Sequence, residues 1–137
     1  TDDVKAILKQ EFYAGYCDDA QTKDTIKGIF DKYSYTCDTH TAVAVKVYMD
    51  YKSETGDNTK TIIASTASPY KFSASVLEAI DKGNSIEDEY AMIDRLSELS
   101  GFAVPKSLAE LKNKSVRFTG SIDKSGMAEY VFNSLKI

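Results

Sequence analysis

Two short stretches hold side chains whose types could do chemistry. The first is "DTHT", residues 38–41, which contains the single histidine of the chain, His40, between hydroxyl residues and two positions after Asp38. The second is "IIASTASPYKF", residues 62–72, where a β-branched run gives way to Ser65, Thr66 and Ser68 before Pro69 and Lys71. An Asp–His pair near Ser or Thr is the raw material of nucleophilic catalysis. However, a triad is set by geometry in space, and no G-x-S-x-G elbow supplies a nucleophile. The simpler reading makes Asp38 or Thr39 the N-cap of a helix, with His40 in its first turn. The hydroxyls of the second stretch have more to offer. In open α/β sheets ligands collect beyond the carboxyl ends of strands, and a hydroxyl there bonds a ring nitrogen without bringing a formal charge. The competing reading is a tight turn with no ligand.

Other chemistries lack their residues. One histidine and the distant Cys17 and Cys37 form no metal-ligand spacing, so no metal is assigned. Neither G-x-x-x-x-G-K-[ST] nor G-x-G-x-x-G occurs, so this chain has no glycine loop to cradle a phosphate. The acidic pairs Asp2–Asp3 and Asp18–Asp19 read as solvated helix starts favoured by the helix dipole. The two cysteines are read as reduced packing residues.

The elements that must position these groups follow from pattern. Val4, Ile7 and Leu8 are spaced for a short helix, and "EFYAGY" after them suits a strand. Asp18 and Gln21 form a capping box for a helix through Ile26, Ile29, Phe30 and Tyr33. In "HTAVAVKVYMDY" the alternation of Val43, Val45, Val47 and Met49 favours a strand, and residues 53–60 form a polar loop. "TIIAS" reads as a buried strand. Ser75 with Glu78 caps a helix through Val76, Leu77 and Ile80 that ends near Gly83. Ser85 caps another, with Ile86, Tyr90, Ile93 and Leu96 inward and Gly101 as its stop. Pro105 allows a short helix, "SVRFTGSI" is β-like, and Met127, Val131 and Leu135 mark a terminal helix. The expected fold is therefore α/β, a three-layer-like piece with a few strands and about five to six helices.

Bulk properties bound the rest. The 137 residues suit one packed unit, 1–137, and 42% hydrophobic with 28% charged residues is ordinary for a globular domain. A net charge of -4 with no basic stripe argues against nucleic acid. No apolar run approaches the length of a bilayer span and no signal-peptide pattern opens the chain, so no membrane partner and a cytoplasmic location are expected. The chain starts at Thr1 and not Met, and it is read as a piece of something longer.

Together, "GYCDDAQTKDTIKGIFDKYSYTCDTHTAVAV" and "IIASTASPYKF" resemble the carboxyl-terminal part of threonine synthase, a fold-type II pyridoxal-phosphate enzyme. Members carry an acidic helix start, "DPHTAV" and "STAHPAKF" or "STASPYKF" in this order, and the resemblance runs from about residue 10 to the end. Here Thr39 stands in place of the usual proline, and Ser68 and Tyr70 replace His and Ala of the commoner form. The resemblance implies that "HTAVAV" begins a helix, against its alternating pattern. It implies that Thr66, with Ser65 beside it, meets the pyridine nitrogen of pyridoxal phosphate, and that His40 and Thr41 face the substrate side. The implied reaction converts O-phospho-L-homoserine and water to L-threonine and phosphate. The resemblance places the Schiff-base lysine and the phosphate loop outside this chain, in the remainder of the same polypeptide, and Lys71 is not that lysine. This leaves no catalytic residue here and a fragment inactive by itself. The competing reading is a free-standing module that binds an amino acid or a phosphate without chemistry.

Overall fold

The computed structural model describes residues 2–83 and 85–137. Its regular elements are seven α-helices: α1 (Asp2–Glu11), α2 (Asp19–Tyr33), α3 (Thr39–Thr55), α4 (Ser73–Ile80), α5 (Glu89–Ser100), α6 (Lys106–Ala109) and α7 (Met127–Leu135). Short 3-10 turns cover Pro69–Phe72, Glu110–Asn113 and Lys124–Gly126.

Among the described residues there is no strand, and the α/β expectation is overturned. The three stretches read as strands, "EFYAGY", "TIIAS" and "SVRFTGSI", are irregular apart from the end of α1 at Glu11. A strand exists only by bonding its backbone to a neighbour, and the helices leave these segments none to pair with. β-Branched composition alone does not replace that partner. The alternation in residues 43–49 is likewise carried by a helix, α3, as the resemblance implied.

The helix boundaries follow the local chemistry of their caps. Asp18 Oδ1 accepts from Gln21 N at 2.8 Å and Gln21 Oε1 accepts from Asp18 N at 3.0 Å, closing the capping box that starts α2. Two other expected starts move. α4 opens at Ser73 with no side-chain cap, because the 3-10 turn from Pro69 already supplies the preceding turn and leads straight into it. α5 opens at Glu89, capped by Asp88, whose side chain accepts from Ala91 N at 2.8 Å. Asp88 is a cap of the same quality as Ser85, and it lies one turn nearer the apolar stripe. Gly56 and Gly101 end α3 and α5 with φ of 70° and 71°, the left-handed conformation for which a missing Cβ carries no penalty.

α2 packs against α3 and α4, and α4 against α5. The core between them is Ile26 and Ile29 of α2, Ala42 of α3, Val76, Leu77 and Ala79 of α4, and Leu96 of α5, joined by Cys37 and Tyr70. α1 and α7 contribute no buried residue. Their apolar side chains, among them Ile7, Leu8, Tyr130, Phe132 and Leu135, are about half exposed or more.

Candidate functional site

The N-terminus of α3 is built around Asp38, whose side chain has no solvent exposure. As N-cap it accepts from the amides of His40 at 2.9 Å and Thr41 at 3.2 Å. The Thr41 hydroxyl lies 2.5 Å from its other oxygen, a short charge-assisted bond. Burial by itself raises the Asp38 carboxyl, but the bonds from Thr41 and His40, with the His40 ring nearby, outweigh it and hold the pKa below the ordinary value. The helix N-terminus favours the resulting negative charge. Asp38 is thus the cap that the simpler reading of "DTHT" allowed, and Thr39 is the first residue of the helix.

His40 stands beside this carboxylate, with Nδ1 3.3 Å from Asp38 Oδ1. The ring leans on Phe72, centroids 4.9 Å apart and planes at 58°, and its side chain remains 66% exposed. It lines an open groove of about 900 Å³ together with Tyr13, Val47, Tyr51, Ile62 and Ala64. It also borders a second hollow of about 370 Å³ with Cys17, Lys23, Phe72 and Ser75.

The two motifs meet here. Thr41 Oγ1 lies 3.0 Å from Ser65 Oγ, so a residue of "DTHT" and a residue of "IIASTA" share a hydrogen bond across 24 positions of sequence. Ser65 and Thr66 are both exposed, and their two hydroxyls are neighbours in sequence on a segment without regular structure. Ser68 precedes the 3-10 turn and accepts from Lys71 N through its carbonyl at 3.1 Å, which leaves it in the turn. Lys71 is exposed.

Three features of the site had little signal in the sequence, where Tyr70 stood out only as a departure from the commoner alanine and Cys37 only as a packing residue. Tyr70 is buried, and its hydroxyl donates to the Phe102 carbonyl at 2.6 Å and touches Ser100 Oγ at 3.1 Å, so the second motif is clamped to the end of α5. Tyr13 donates to Glu54 at 2.8 Å and stacks edge-on against Tyr51 at 5.0 Å, which holds the segment after α1 on α3. Cys37, next to Asp38, is buried; burial and the neighbouring carboxylate push its thiol up to about 11. Both cysteines are free. The described residues contain no group of three or more His, Cys, Asp or Glu arranged for a metal ion, and no described helix is long and apolar enough to cross a membrane.

Comparison with known proteins gives two matches. Residues 41–124 fit the family described as "Threonine synthase, C-terminal". Over 69 residues the chain is 36% identical to the threonine synthase of Methylobacillus glycogenes, a match that covers 50% of this chain and 14% of that relative's length.

Proposed function

Because this chain belongs to the threonine synthase C-terminal family, we propose that it forms one edge of a pyridoxal-phosphate site whose other parts lie in the remainder of a longer polypeptide. The complete protein, on this reading, converts O-phospho-L-homoserine and water to L-threonine and phosphate. Pyridoxal phosphate, when bound, draws electrons from the substrate's Cα and so eases loss of phosphate and addition of water.

The observation that carries the reading is the Thr41–Ser65 bond, which ties the segment carrying the exposed Ser65 and Thr66 hydroxyls to the first turn of α3. The donor set fits a heteroaromatic nitrogen and little else of the cofactor. Thr66 is exposed and neutral, and a hydroxyl can donate to a ring nitrogen without delivering a full proton to it. Ser65 and Thr41 are committed to one another, so Thr66 is the hydroxyl left to make that contact. His40, largely exposed at the rim of the groove, is the residue on the substrate side. Thr41, buried against Asp38, is withdrawn from that role. The covalent anchor for the cofactor comes from the remainder of the polypeptide, and the chain alone is inactive. The exposed apolar faces of α1 and α7 fit a piece that docks against further protein.

The test is to add pyridoxal phosphate to the purified 137-residue chain, reduce with borohydride and weigh the intact product. No stoichiometric adduct is expected. A single adduct mapped to Lys71, or to any other one lysine, would overturn the proposal by showing a self-sufficient centre. In the complete polypeptide, Thr66→Ala should weaken cofactor retention at least tenfold, as expected when a site built to bond a polar atom loses its partner.

A further inference from the structure

We propose that Thr41 is a positioning residue, whose hydroxyl holds the segment before Pro69 against α3 and thereby sets where Thr66 stands. The consequence for the cofactor rests on the function proposed for the site, whereas the tie itself is a property of this chain.

The segment has little else to fix it. Residues 56–66 have no regular structure, and the described hydrogen bonds of residues 60–67 are two. One is local, Thr61 Oγ1 to the Thr59 carbonyl at 3.1 Å. The other is Thr41 to Ser65. Packing adds little, since Ile62 is 96% exposed and Ser65 and Thr66 are exposed with it, leaving Ile63 and Ala67 as the half-buried apolar residues.

The other end of the tie is the most rigid part of the neighbourhood. Thr41 is in the first turn of α3, 6% exposed, with its hydroxyl on a carboxylate that is wholly buried. A fixed anchor and a loose segment joined by one hydroxyl make that hydroxyl responsible for the order of Ser65 and Thr66. Thr41 thus has its effect through Ser65 on Thr66 and does not touch the ligand.

The experiment is 15N relaxation on the 137-residue chain as wild type, Thr41→Val and Thr41→Ser. Valine keeps the shape and removes the hydroxyl, and serine keeps the hydroxyl. In Thr41→Val the order parameters of residues 64–66 should fall from the rigid range near about 0.85 to below about 0.6, with α2, α4 and α5 unmoved, and Thr41→Ser should restore them. Three results would overturn the proposal: unchanged order parameters in Thr41→Val, equal loosening in Thr41→Ser, or a loss spread evenly over the helical core. The two readings fail separately. If Thr41→Val loosens residues 64–66 while Thr66→Ala leaves cofactor retention in the complete polypeptide unchanged, the positioning stands and the cofactor edge falls. If the segment stays ordered and Thr66→Ala still costs retention, the positioning falls and the cofactor edge stands.

Discussion

At its N-terminus α3 is organised by Asp38, which receives two amides and the Thr41 hydroxyl and has no contact with solvent. Just past its C-terminus stands Asp57, which receives the Thr59 amide at 2.8 Å, the Thr59 hydroxyl at 2.7 Å and the Tyr51 hydroxyl at 2.7 Å. Each aspartate gathers two partners from just beyond it in sequence together with a hydroxyl. They differ in what can replace a lost bond. Water reaches the half-exposed Asp57 and can take over from any donor, whereas at the buried Asp38 the two amides left behind would be stranded and the Thr41 hydroxyl would keep Ser65 alone. The same residue type is therefore an anchor at one end of the helix and a turn former at the other.

Removing the anchor should have the largest effect. Asp38→Ala loses an N-cap, strands the His40 and Thr41 amides and leaves the Thr41 hydroxyl with Ser65 alone, at a cost of about 3 kcal/mol in urea unfolding. Acid offers a second test of the anchor. Both carboxyls are depressed in the folded chain, Asp38 by the bonds that overcome its burial and Asp57, chiefly by Thr59 and Tyr51, to about 2. A depressed carboxyl contributes stability that is complete above its unfolded value of about 3.9 and is lost as pH falls through the folded one. The gap in urea midpoint between wild type and Asp38→Asn should thus be full at pH 6 and shrink below about pH 4. A gap that widens on acidification would reverse the sign assigned to Asp38. Next in size is Gly56→Ala, at the C-terminal end. No atom lies within 4 Å of the added Cβ, so its cost is that of the backbone at φ 70°, about 1 kcal/mol. Asp57→Ala should move the midpoint least, and an effect equal to that of Asp38→Ala would erase the contrast between the two ends.

How much of this was readable in the sequence varies with the range of the interaction. The capping box of Asp18 and Gln21 is local, and four residues suffice to specify it. The start of α3 was a different case: its alternating valines point to a strand, and the resemblance to a family was needed to read a helix. The strand expected at "TIIAS" failed because strand structure belongs to a pair of segments, and the described residues provide one of them. The starts at Ser75 and Ser85 failed because several polar residues nearby are adequate caps, and the choice among them is made by the turn from Pro69 and by Asp88. At the site, Thr41 and Ser65 were each legible as candidates, but their meeting was not, since no local pattern links positions 24 apart. The Tyr70 clamp was visible only as a departure from the alanine of the commoner motif.

The burial of Cys37 gives the chain a built-in clock. Thiol reagents attack the thiolate, and a thiol pushed up to about 11 at 1% exposure is silent in the folded state. Cys17, partly exposed at the start of α2, is open to reagent without unfolding. The first alkyl group added to the protein therefore records access and the second records opening of the α2–α5 core. The rate of that second mass step reads out how often the domain comes apart, with no label introduced.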